Sequence, residues 1–258
     1  MVTIHPTALV DSAADLSPGV MIGPYALVGP EVHVGAGTQV GSHTILEGRI
    51  EIGADCRIGS HVLIGAPPQD VKYHGEPTRV IIGARTQVRE FATIHRASIG
   101  GSGVTRVGSD GFIMAYAHVA HDCEVGDGVV MANQASLAGH VEIGRFAVIG
   151  GMTGIHQFVR IGDYAFVGAC SGVLQDIPPY VKAQGSPVKP YGLNVVGLRR
   201  HGFSSEALQA LKRAYHIVFL ASLNTSQALA QLEQEFGGFP EVRRFIDFIQ
   251  RSQRGISK

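Results

Sequence analysis

The chain has 258 residues, 45% of them hydrophobic, with 21 Lys/Arg against 21 Asp/Glu, 34 Gly and three Cys. That is enough apolar content for a full core and two unequal domains. No apolar run is long enough to span a bilayer and no signal peptide opens the sequence, so a cytoplasmic protein is expected. The three cysteines lack paired spacing, which argues against a disulfide framework or a cysteine metal cluster.

From the N-terminus an aliphatic residue recurs at every sixth position, from Ile4 and Val10 through Ile58 and Ile64. The series resumes at Ile82, Val88 and Ile94, slips by one residue, and runs from Val107 to Val173. Two residues before most of these stands a small or β-branched side chain, such as Ala26, Thr44, Cys56, Ala117, Cys123 or Ala147, and Gly commonly follows. Side chains alternate faces along a strand, so positions i and i−2 fill one narrow interior and the Gly opens the corner. Each hexad is therefore one short strand and a turn. Three hexads close one triangular coil of 18 residues, the signature of a parallel β-helix of about nine coils. Two stretches break the phase, 66–79 and 100–106, and both are expected to be external loops.

Beyond Val173 the hexads stop, and a Pro- and Gly-bearing connector leads to helix-spaced apolar residues: Leu208, Leu211, Tyr215 and Phe219, then Leu229 and Leu232, then Val242, Phe245, Ile246 and Ile249. Ser204 or Ser205, Thr225 and Pro240 are expected helix starts. The pattern divides the chain into a β-helical domain over 1–186 and an α-helical domain over 187–258. Charge divides too: residues 1–181 hold 10 basic and 16 acidic residues, leaving 11 and 5 for 182–258. An exposed helical surface explains this as well as a dock for an acidic or phosphate-bearing partner does. Nucleic acid is not expected, because the basic residues are few and lack interleaved aromatics.

His118 and His121 flank Val119, His140 follows Leu137 by three, and His156 follows Ile155. Since 119, 137 and 155 differ by 18, these histidines lie on one side of three consecutive coils, in rungs about 4.8 Å apart. Singly each is an ordinary surface histidine; together they suit acid–base work near neutral pH. Two chemistries compete: a zinc site held by three histidines, or one histidine as general base with the others binding substrate. The adjacent Asp122 favours the second. A non-catalytic scaffold explains the hexads but not this strip.

With the repeat and the strip stand further specific segments: Gln69-Asp70-Val71-Lys72-Tyr73-His74-Gly75-Glu76-Pro77-Thr78-Arg79, Ile94-His95-Arg96, Leu137-Ala138-Gly139-His140, Gly150-Gly151-Met152-Thr153-Gly154-Ile155-His156-Gln157-Phe158 and Gly197-Leu198-Arg199-Arg200-His201-Gly202-Phe203. In this order the chain resembles, over nearly its whole length, the UDP-N-acetylglucosamine acyltransferases that open lipid A synthesis. The resemblance implies a homotrimer of left-handed β-helices with active sites between subunits, an exception to the usual handedness of parallel crossovers. It implies transfer of a 3-hydroxyacyl group from acyl carrier protein to the sugar 3-hydroxyl, with no metal, cofactor or acyl-enzyme. It makes His121 the general base, Asp122 its support and the Gly139 N–H an oxyanion donor. Asp70, Lys72, His118, His140, His156 and Gln157 are then substrate-binding, Asn194 and Arg200 nucleotide-binding, and Ala169 the limit on acyl length. Ala in place of the Gly of long-chain members predicts an acyl chain no longer than theirs. Val196 and His201 depart from the Glu and Arg common in the family near the nucleotide-binding positions. A 3-amino acceptor is the nearest alternative. The later N-acyltransferase of the pathway fits poorly, since it carries a nucleotide-binding domain before its hexads and here they begin at Ile4.

Overall fold

The computed structural model describes all residues from Met1 to Lys258. The hexads form a triangular prism whose three faces are parallel sheets of eleven, nine and eight strands. The first face begins with Thr3–Ile4, the second with Leu9–Val10 and the third with Asp15–Leu16. Most strands are two residues long and pair with the strand one coil away in unbroken register, as His118↔Ser136 and Val119↔Leu137 do. The six-residue aliphatics and the small residues before them fill the interior: from Ile64 to Val173 every aliphatic of the series is buried to 3% exposure or less. Threonines at the small position satisfy their hydroxyls on corner carbonyls, as Thr44 Oγ1 does on Gly59 O and Thr153 Oγ1 on Gly168 O.

The prism turns at its edges through the left-handed backbone region, and there most residues are not glycine. Tyr25, His43, His61, Phe91, Tyr116, Met152 and Cys170 take φ between 55° and 61° on the edge joining the first and second faces. Asp122, His140 and Phe158 do so on the second–third edge, and Phe146, Tyr164 and Tyr180 on the third–first edge. This conformation points side chains away from the prism apex and lets them stack from coil to coil. Tyr25, His43, His61, Phe91 and Tyr116 form a continuous ladder with ring centroids 4.7 to 5.0 Å apart.

Both phase breaks leave the prism between a second-face strand and a third-face strand, so they share the second–third edge. The first runs from Leu63–Ile64 to Arg79–Ile82. The second is not the expected 100–106: it spans 95–103, because Val104–Val107 already pairs with Arg79–Ile82. Thr105 and Val107 point inward and are fully buried, an alternation that the one-residue slip conceals in the sequence.

The helical part begins later than the expected 187. Val181–Gln184 continues the first face, and Lys189–Leu193 folds back on it antiparallel as an edge strand, a place that tolerates Pro190. Four helices follow: α1 (Val195–Arg200), α2 (Ser205–Phe219), α3 (Thr225–Phe236) and α4 (Pro240–Gln250). Ser204 caps α2 and Asn224 closes a capping box on α3. The short α1 lacks an apolar stripe long enough to announce itself in the sequence. The final residues return to the prism, where buried Asp176 accepts from Ser252 Oγ at 2.7 Å and from the Arg160 N–H at 2.8 Å. No helix is long and apolar enough to cross a membrane.

Candidate active site

On the second–third edge, consecutive coils stack His121, Gly139 and Gln157 in one column and Asp122, His140 and Phe158 in the next. His121 Nδ1 lies 2.9 Å from Asp122 Oδ2. Neighbours in sequence meet here because the corner turns: Asp122 has φ +58°, which swings its carboxylate back toward the imidazole. The Asp122 side chain is 1% exposed and that of His121 16%. A carboxylate only accepts, so Nδ1 carries the proton and Nε2 is left as the basic nitrogen. The ring rests over Gly139, where an added Cβ would lie 2.5 Å from His121 Cε1 and 2.6 Å from Nε2. The Gly139 N–H makes no hydrogen bond within the chain. His140 stands edge-on to His121 at 5.2 Å and stacks on Phe158 at 4.5 Å, which fixes its orientation.

One strand earlier on the second face, His118 Nδ1 meets Thr93 Oγ1 at 2.7 Å. Burial, then the neighbouring His95 and His121, push His118 down to about 4, so it is neutral at physiological pH. His95, buried and edge-on to His118 at 5.2 Å, is lowered too: burial disfavours its charged form, the Pro67 carbonyl opposes, and His121 adds to the lowering. A neutral imidazole can bind a hydroxyl or amide in either hydrogen-bonding sense.

The excursion carrying Asp70 and Lys72 springs from the same edge. It is tied down by Arg96, which donates to Tyr73 Oη at 3.0 Å and to Gly65 O at 2.9 Å, and by Thr78 Oγ1 on Ala97 O. Asp70 Oδ1 accepts from the Lys72 N–H at 3.0 Å, leaving the Lys72 side chain exposed. His156 and Gln157 are exposed one coil above Ala138 and Gly139.

The remaining expected site residues lie elsewhere. Asn194 caps α1 by accepting from Gly197 N–H and donates to Tyr164 O at 2.9 Å, placing α1 and the exposed Arg200 on the third–first edge. His201 packs on Phe146 at 4.5 Å and Tyr164 at 5.1 Å of that edge. Val196 is 62% exposed. Ala169 is exposed on the first–second edge. One copy of the chain therefore distributes these residues over three edges.

A metal is less suited to the edge than a base. His121, Asp122 and His140 offer ligand atoms within 4.8 Å of one another. Asp122 Oδ2, however, already takes His121 Nδ1 and two donors from Ser98, and Oδ1 is buried. Thr93, His95, Ser98 and Phe158 were not anticipated as parts of the site. Phe158 stands 18 residues after His140 and was legible by coil arithmetic, whereas Ser98 sits in an excursion with no period.

Comparison with known proteins places this architecture. Residues 176–257 match the model for domain 2 of UDP N-acetylglucosamine O-acyltransferase, and residues 31–66 match the bacterial transferase hexapeptide (six repeats). Acyl-[acyl-carrier-protein]–UDP-N-acetylglucosamine O-acyltransferases from Thiobacillus denitrificans and Thermodesulfovibrio yellowstonii are 50% and 48% identical, over 99% of this chain and 99% of theirs. The solved Acinetobacter baumannii structure of this enzyme superposes with a TM-score of 0.96 at 40% identity, covering 99% of both chains. Full-length identity near one half and a shared left-handed β-helix with a helical C-terminal part make the chain a member of the UDP-N-acetylglucosamine O-acyltransferase family.

Proposed function

We propose that the protein transfers a 3-hydroxyacyl group from acyl carrier protein to the 3-hydroxyl of UDP-N-acetylglucosamine, with His121 as general base and no acyl-enzyme. The observation that carries this is the His121–Asp122 pair on an edge whose next coil presents an unbonded N–H at Gly139. Nε2 of His121 takes the hydroxyl proton as the sugar oxygen attacks the thioester carbon. The Gly139 N–H donates to the developing oxyanion. Collapse breaks the carbon–sulfur bond and expels the carrier's thiolate, which recovers the proton from His121. Neutral His118, with His140 and His156, suits the sugar hydroxyls and acetamide. Asp70, Lys72 and Gln157 flank the same edge. A carrier-protein donor and a nucleotide-sugar acceptor support a cytoplasmic reaction.

The nucleotide end requires a second copy. The first–second edge exposes Tyr25, Phe91, Tyr116 and Met152 by 45% to 60%, an apolar strip suited to a three-fold axis. With these edges at the axis, the second face of one copy covers the first face of the next. The His121 edge then abuts the neighbour's third–first edge, which bears Asn194 and Arg200, and an Arg fork suits phosphate oxygens. The same packing lays the Phe112, Val130, Val148 and Phe166 column of one copy over the Ser136, Gly154 and Gly172 column of the next, an apolar channel with an open floor for an acyl chain.

The test is product formation by the purified protein with UDP-N-acetylglucosamine and a panel of 3-hydroxyacyl carrier proteins, read by mass spectrometry with and without chelator. Chelator-insensitive single acylation supports the proposal, and the donor preferred reports the limit set by Ala169. Acylation only of a 3-amino sugar, or loss of activity on chelation, defeats it.

A further inference from the structure

We infer that Ser98 is a positioning residue of this reaction and that the excursion 95–103 is a cradle for the Asp122 carboxylate; the role rests on the proposed chemistry, the cradle on geometry alone. Ser98 is 3% exposed. Its backbone N–H and its Oγ both lie 2.9 Å from Asp122 Oδ2, the same oxygen that receives His121 Nδ1. Three donors thus converge on one carboxylate oxygen.

Asp122 is held at two further points, one in the strand that follows the excursion and one in the excursion itself. The Asp122 N–H donates to Thr105 Oγ1 at 2.9 Å. Gly101 lies against the other carboxylate oxygen so closely that a Cβ there would come 2.2 Å from Oδ1. Oδ1 is buried without a partner, so all the side-chain hydrogen bonds that orient the carboxylate fall on Oδ2. Ser98 holds Oδ2 where the imidazole needs it, and Gly101 leaves room for the group to sit that way. Hexad corners elsewhere also bring a Gly against an Asp carboxylate, as Gly37 does at Asp55 and Gly108 at Asp127, but here the excursion adds the Ser98 hydroxyl as a donor. The one-residue slip in the repeat between Ile94 and Val107 is where the cradle is inserted.

Ser98→Ala removes the hydroxyl donor and keeps the backbone one. It is expected to lower kcat about tenfold, the scale of one charge-assisted hydrogen bond, with KM for both substrates within about twofold. Ser98→Thr, which restores a hydroxyl, should recover most of the loss. In an Asp122→Asn background, Ser98→Ala should cost almost nothing more, because Ser98 acts through that carboxylate. Wild-type kcat in Ser98→Ala, an undiminished loss in the Asp122→Asn background, or failure of Thr to rescue would overturn the inference. Should Ser98→Ala not fold, Gly101→Ala presses on the same carboxylate from its other oxygen, and unchanged kcat there is equally fatal. Proton NMR separates this test from the reaction itself. The His121 Nδ1–H resonance should be sharp and slowly exchanging in the wild type and broadened in Ser98→Ala, whatever the substrate proves to be. A signal equally sharp in both proteins removes the cradle even where the transferase activity is confirmed.

Discussion

His121 and Gly139 occupy equivalent corner positions of consecutive coils, and the imidazole of the first fills the space that any side chain on the second would claim. In the proposed reaction the glycine would serve the base and the oxyanion donor together. Gly139→Ala is expected to displace the ring and lower kcat by at least about a hundredfold, the scale of a lost oxyanion contact, while leaving the thermal transition within a few degrees of wild type. Steady-state kinetics beside a melting curve checks both halves.

Removing the proposed base should be more severe. His121→Ala is expected to fold and assemble normally yet lose about three orders of magnitude in kcat/KM, within the range for a positioned general base. Asp122→Asn keeps the shape but replaces an acceptor-only group with an amide, so the His121 tautomer is no longer fixed; a smaller loss is expected. Substantial activity in His121→Ala would assign the base elsewhere.

Acid should act on the fold through His118. Its folded pKa of about 4 lies below the ordinary histidine value near 6.5, so between these limits the unfolded chain binds the extra proton. The stability attached to a neutral His118 is complete above about pH 6.5 and is lost as pH falls toward 4. The lowered His95 acts in the same direction. His118→Gln should flatten the dependence of the melting temperature on pH across that window, and the His118 ring signals should titrate only near its lower end.

The aromatic ladder supplies a test of assembly. Tyr116→Glu places a charge in the middle of the exposed apolar edge, which is costly if that edge is covered and harmless if it faces water. The expected result by light scattering is a shift from a three-chain mass toward a single chain, with activity falling in parallel because no neighbour supplies Arg200. An unchanged mass would remove this edge from the interface.

The hexads carried most of the prism in plain view, since a fixed period places every inward residue and, through the 18-residue coil, every vertical neighbour. His121, His140 and His156 were legible as one strip on that basis, and the helix starts followed from their caps. Less visible was whatever lacks a period. The strand Val104–Val107 hid behind a slipped residue, and Lys189–Leu193 behind its Pro and Gly. The contact between His121 and the adjacent Asp122 depends on a left-handed corner that alternation alone would argue against. Ser98 and Thr93 reach the site from an excursion and a neighbouring rung, and Asn194 serves a helix too short to show a stripe.

The final residues, pinned at Asp176, and the four helices close one end of the prism, while at the other the inward-pointing Ile4 of the first coil is 45% exposed. A plugged end keeps the backbone groups of its last coil from any strand that would pair with them. Any change in coil number between His121 and the plug would alter the distance from the His121 edge to the helices.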